Sequence, residues 1–148
     1  MALSKLNSLY RTLVAEHSRH PHHQGSLSGV EPIQLNNPTC GDVIQLFLVK
    51  DEEGRITDIS FINSGCSIST ASASMMTDVV IGKKEEEVRA LAQDFSDLVQ
   101  GLELSSTDQL GDAAFLSGVA QFPQRIKCAT LAWNALKKAL EVNEMKGK

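Results

Sequence analysis

The 148-residue sequence has no window approaching the roughly 20 apolar residues of a membrane-spanning helix. Its first ten residues lack the apolar block and small-residue cleavage site of a secretory leader. No Cys-x-x-Cys pair occurs, which removes thioredoxin-like and zinc-ribbon chemistry. There is no internal repeat and no low-complexity tract. Nor is there a surplus of positive charge: the formal net charge is −4, so nothing suggests nucleic-acid binding. These absences lead to the expectation of a cytoplasmic protein that works without nucleic acid or membrane.

What is present is ordinary for a globular chain. Apolar residues make up 42% and charged residues 22%. That length and composition predict one domain spanning 1–148 with a real core. Leu3, Leu6, Leu9, Tyr10, Leu13 and Val14 recur at three- and four-residue steps, predicting a helix over 2–18. Residues 24–42 read as loop, with a short edge strand near 33–35. Alternating strands are predicted over 43–49 and 56–62, joined by a hairpin at Asp51-Glu52-Glu53-Gly54. A helix rich in small residues follows from Ser67 to about 81, suited to close packing on a sheet. Another is predicted over 85–100, then short helical turns near 108–110 and 113–119. A last helix runs from Pro123 or Gln124 to about 144. The fold class is α+β: a small antiparallel sheet of about three strands, covered on one face by helices.

Chemistry concentrates at the cysteines. Cys40-Gly41-Asp42 sits at the mouth of the first long strand. A thiolate and a carboxylate one residue apart repel, and the carboxylate makes the thiol a poorer nucleophile. The pairing makes sense if a cation lies between them, because i and i+2 of an extended chain point the same way. Cys66 follows Gly65 at a predicted helix start, where free N–H groups favour an anionic sulfur. Cys128 lies in the first turns of the last helix, flanked by Arg125 and Lys127. Three thiols and a carboxylate form a soft-metal set suited to zinc or to an iron–sulfur cluster. The plainer reading is that each cysteine is a small buried hydrophobe.

Other polar clusters carry less. His20, His22 and His23 have side chains that can bind metal, but the expectation is a mobile surface loop, with His17 partly buried or capping. Residues 85–87 read as a solvated helix start, and Met75 and Met76 as core.

The pattern resembles the iron–sulfur cluster assembly U family, the IscU/NifU-type proteins, over nearly the whole chain. Glu16-His17-Ser18-Arg19-His20-Pro21-His22-His23-Gln24-Gly25 is similar to the family's Asp-His-Tyr-x-Asn-Pro-Arg-Asn-x-Gly, departing at His20, His22 and His23. Cys40-Gly41-Asp42, Gly65-Cys66 with its small-residue helix, and Cys128 match the three cysteine motifs. The histidine that usually precedes the third cysteine is replaced by Lys127, a poor ligand while charged. Gln121-Phe122-Pro123-Gln124-Arg125 stands where the family has its chaperone-recognition stretch, and the 82–128 segment is longer. These departures resemble the SufU branch.

That resemblance implies a SufE/NifU-like fold and a role in iron–sulfur cluster biogenesis in the SUF system. It implies Zn2+ held by Cys40, Asp42, Cys66 and Cys128, with Cys40 accepting persulfide sulfur from the cysteine desulfurase SufS. Arg125 and Lys127 would steer a partner or stabilise the transferred sulfur, or simply be a solvated helix start. Downstream partners would be SUF assembly proteins or apo iron–sulfur proteins, and a dedicated Hsp70 chaperone is not expected. Two rivals stand beside this reading. One is a scaffold that assembles a transient [2Fe–2S] cluster, or holds Fe2+, on the same residues. The other is a structural zinc module without sulfur transfer. The 82–122 segment is a candidate partner surface.

Overall fold

A computed structural model describes residues 2–37, 41–102, 104 and 107–146, with the side chains of 2–7, 121 and 142–146 left aside. Element order is α1 (Ala2–Arg19), β1 (Ile33–Asn37), β2 (Asp42–Lys50), β3 (Ile56–Ser64), α2 (Ser67–Val80), α3 (Glu85–Val99), a 3-10 stretch (Asp108–Gln121) and α4 (Pro123–Lys146).

The hairpin forms because its turn satisfies itself. Asp51 Oδ1 accepts the backbone N–H groups of Glu53 and Arg55, each at 2.9 Å. Gly54 supplies the positive φ of 84° that closes the turn. The strands pair antiparallel in the order β1-β2-β3. Register then decides the faces. Leu46 pairs Phe61 and Leu48 pairs Ile59 across β2 and β3, and all four are buried. Period-two alternation continues this row through Ile44 to Asp42, the first residue of β2. A carboxylate therefore ends a row of core-facing apolar side chains.

α2 and α4 lie on that face of the sheet, with α1 against α2 and α3 against α4 and the 3-10 stretch. α2 tolerates neighbours on several sides because it is narrow: Ser69, Ala71, Ser72, Ala73 and Ser74 are all buried. Ser72 Oγ donates to the Ala129 carbonyl, tying α2 to α4 one residue beyond Cys128. Phe95 of α3 stacks on Trp133 of α4 with ring centroids 4.5 Å apart. Such a pair contributes about 0.5–1.5 kcal/mol beyond its buried area. Met75 and Met76 are core.

The structure refines several expectations. The 3-10 stretch breaks at Gly111 (φ 53°, ψ −133°), between the two predicted groups of helical turns. The 20–25 segment is not a detached loop. Phe61 N–H donates to the His23 carbonyl and Gly25 N–H to the Phe61 carbonyl, so it lines the outer edge of β3. Residues 85–87 are only in part a solvated helix start. Glu86 and Glu87 are exposed, but Glu85 takes Lys50 Nζ at 3.1 Å and Arg89 at 2.7 Å. Burial alone would push the Glu85 carboxyl up; the two cations outweigh it and hold it below the ordinary range. No helix among the described residues is long and apolar enough to cross a membrane.

Candidate metal centre

Three elements converge at one end of the sheet. β2 contributes Asp42, the N-cap of α2 contributes Cys66, and the second turn of α4 contributes Cys128. One ligand atom from each lies within 4.8 Å of the other two. Asp42 and Cys128 are buried and Cys66 is half-buried. Cys40, the remaining predicted member, lies outside the described residues.

The carboxylate is held in place by the helix that carries Cys66. Cys66 N–H donates to Asp42 Oδ1 at 3.2 Å, and Cys66 Sγ lies 3.6 Å from Asp42 Oδ2. An anion at a helix start is favoured by the unpaired N–H groups and the positive end of the helix dipole. Gly65 makes the approach possible. A Cβ there would sit 2.8 Å from Asp42 Cγ and Oδ1, and 2.6 Å from Ser69 Oγ. Ser69 Oγ donates to the Cys66 carbonyl at 3.0 Å and lies 3.8 Å from its sulfur.

The donor set fits zinc. Sulfur at about 2.3 Å and oxygen at about 2.0 Å from a tetrahedral ion stand about 3.5 Å apart. The observed separation of 3.6 Å between Cys66 Sγ and Asp42 Oδ2 needs almost no adjustment. Two thiols, one carboxylate and one further donor would close a four-coordinate site.

Arg125 is brought to the same place. Its guanidinium hydrogen-bonds to Cys128 and also reaches Cys66, and these sulfurs raise its already high pKa. It is exposed, so it covers the sulfurs from the solvent side. Lys127 is exposed. Sequence reasoning did not single out Tyr10 or Ser69. Tyr10 of α1 packs its ring on Gly118, where a Cβ would meet Cγ at 3.2 Å. Burial pushes its phenol pKa up; Arg125 opposes that and Cys66 adds to it, which puts the hydroxyl within electrostatic reach of both. The spacing Cys66-x-x-Ser69 at a helix start was a signal for Ser69, since N-cap and N3 side chains face each other. Nothing local marked Tyr10, which arrives through the packing of α1.

Comparisons with known proteins agree with this architecture. The profile of the NifU-like N-terminal domain family matches residues 9–148. Over 141 residues the chain is 64% identical to the iron–sulfur cluster assembly scaffold protein IscU of Streptococcus pyogenes serotype M1, spanning 95% of this chain and 88% of that protein. Over 141 residues it is 43% identical to the zinc-dependent sulfurtransferase SufU of Bacillus subtilis strain 168, spanning 95% of both. A crystal structure of a NifU-like N-terminal region from Brucella abortus shares the fold at 20% identity, with a TM-score of 0.84 over 93% of this chain and 96% of that one.

Proposed function

The chain belongs to the NifU-like N-terminal domain family, and from that premise we propose that it is a zinc-binding sulfur acceptor in iron–sulfur cluster biogenesis, loaded by the desulfurase SufS. The observation that carries the reading is the convergence of Asp42, Cys66 and Cys128 within 4.8 Å, with Arg125 on the sulfurs. Zn2+ held by these three and Cys40 would keep the thiols ionised at neutral pH.

The transfer itself needs only the chain's residues and the donor. The Cys40 thiolate attacks the outer sulfur of a protonated persulfide on the desulfurase. A new S–S bond forms at Cys40, the donor's S–S bond breaks, and the donor cysteine leaves as a thiolate. The proton stays on the transferred sulfur, and no net oxidation occurs. Asp42, fixed by the Cys66 N–H, keeps the site organised while Cys40 is used. Arg125 offsets the negative charge that accumulates on the sulfurs. Replacing Arg125 by Gln is expected to slow sulfur loading about tenfold, the scale of one charge-assisted hydrogen bond. Zinc content should stay the same. Unaltered loading kinetics with the desulfurase would remove Arg125 from the transfer. Lys127 is assigned to partner steering rather than to the metal.

The 64% relative carries the name of a scaffold, which favours a second reading: assembly of a [2Fe–2S] cluster as cargo on the same residues. Anaerobic incubation with iron and sulfide separates the two. A sulfur acceptor retains zinc and forms no transferable cluster. A scaffold builds one and passes it to an apo iron–sulfur protein. If the protein neither raises desulfurase turnover nor takes up sulfur, a structural zinc module is left.

A further inference from the structure

All four histidines of the chain fall within seven residues, at positions 17, 20, 22 and 23. Three of them meet the C-terminal half of α2. His22 Nδ1 lies 2.5 Å from Asp78 Oδ2. His23 Nδ1 lies 2.9 Å from Thr77 Oγ1 and 3.6 Å from Asp78 Oδ1. His17 is buried, with Nδ1 2.7 Å from Ser74 Oγ and Nε2 3.0 Å from Asp112 Oδ2. The rings of His17 and His22 are 4.6 Å apart, and one ligand atom from each of His17, His22 and Asp78 lies within 4.8 Å of the others. We infer that these three residues form a second cation site, for a borderline divalent ion of the zinc class, independent of the cysteines.

The chemistry of the cluster supports that assignment. Two imidazoles and a carboxylate match the nitrogen and oxygen ligands that zinc, cobalt and nickel accept. His17 carries the outer partner that metal-binding histidines characteristically have. The Asp112 carboxylate can only accept, so in the neutral, metal-binding form of the ring it selects the Nε2–H tautomer and leaves the Nδ1 lone pair facing Ser74. Ser74 Oγ also accepts the His22 backbone N–H at 2.8 Å, which places Nδ1 on the His22 side. An ion at Nδ1 takes the place of this one hydrogen bond from the buried Ser74 hydroxyl, which keeps the His22 N–H as a partner. Two ligand atoms on a tetrahedral ion stand about 3.3 Å apart. The His22–Asp78 contact must therefore open by under 1 Å, and both side chains are largely exposed and free to do so.

The site is separate from the cysteine centre. Asp78 is twelve residues along α2 from Cys66, about 18 Å at the helical rise. His22 and His23 stand where the resembling motif has Arg and Asn, so the cluster departs from that motif. An ion there would join the end of α1, the 20–25 segment and α2, stabilising the folded chain by mass action.

The test is a cobalt titration of the zinc-loaded full chain, followed by calorimetry, visible absorption and thermal unfolding. One further equivalent is expected, with d–d bands, no sulfur-to-metal charge transfer and a raised Tm. In His22→Asn and in Asp78→Asn, both substitutions at exposed side chains, the affinity should fall at least tenfold and the Tm rise should vanish. His20→Asn should behave as the parent. Absence of a second equivalent, equal affinity in the two variants, or appearance of a sulfur charge-transfer band would each overturn the assignment.

Discussion

Replacing Cys128 by alanine is expected to weaken zinc binding by about two to three orders of magnitude while leaving the helical content intact. A four-ligand structural zinc site contributes about 10–16 kcal/mol, so each ligand accounts for about 2.5–4 kcal/mol. Cys128 is fully buried in the second turn of α4, beside the Ser72 link that holds α2 and α4 together. Arg125, three residues earlier on the same face of α4, reaches the sulfurs, but its guanidinium is a cation and cannot replace the thiolate as a ligand. Asp42→Ala should fall at the lower end of the same range, since oxygen is the weaker partner of a soft ion. That substitution also leaves the Cys66 N–H without its carboxylate. The measurement is competition for zinc against a calibrated chelator, with circular dichroism as the fold control. Parent-like affinity in Asp42→Ala, together with parent-like sulfur uptake, would remove Asp42 from the site.

Gly65→Ala should act on the same centre without touching a ligand. The added methyl would lie 2.8 Å from the Asp42 carboxyl and 2.6 Å from Ser69 Oγ. Neither neighbour retreats cheaply. Asp42 is at the start of a paired strand, and Ser69 Oγ is engaged with the Cys66 carbonyl. Overpacking of this kind costs about 1–3 kcal/mol of stability. Displacing an organised ligand costs about 10- to 100-fold in metal affinity, as loss of a supporting contact does. Gly41→Ala makes the useful contrast. Gly41 has φ of 75° and open space around its missing Cβ, so its penalty is backbone strain rather than collision with Asp42. Chemical denaturation and chelator competition on both variants check this. If Gly65→Ala bound zinc as tightly as the parent, the crowding around Asp42 would not matter to the metal.

Local patterns carried much of this structure. The hairpin was legible because two alternating runs flank Asp51-Glu52-Glu53-Gly54, and the turn closes through Asp51 and Gly54 as those residue types dictate. Cys66 at a helix start was legible from the glycine before it and the small-residue run after it. What local pattern could not supply is what the packing brings together. Glu85 finds Lys50 because the start of α3 lies beside the end of β2, thirty-five residues earlier in the chain. His22 and His23 read as loop residues, yet the outer edge of β3 holds the His23 carbonyl, Ser74 of α2 holds the His22 N–H, and their rings fall on Asp78 and Thr77. Tyr10 reaches the cysteine centre through a helix whose stripe marked it only as apolar. For the proposed site, sequence supplied the candidates, and the fold brings ligand atoms of three of them, Asp42, Cys66 and Cys128, within 4.8 Å of one another.

Sulfur acceptance at Cys40 is read directly by mass spectrometry. The zinc-loaded protein is incubated with SufS and free cysteine, quenched with an alkylating agent and digested. One additional sulfur is expected on the peptide containing Cys40, with desulfurase turnover raised and no such addition in Cys40→Ala. A parent protein whose Cys40 peptide gains no sulfur, at a turnover no different from desulfurase alone, would contradict it.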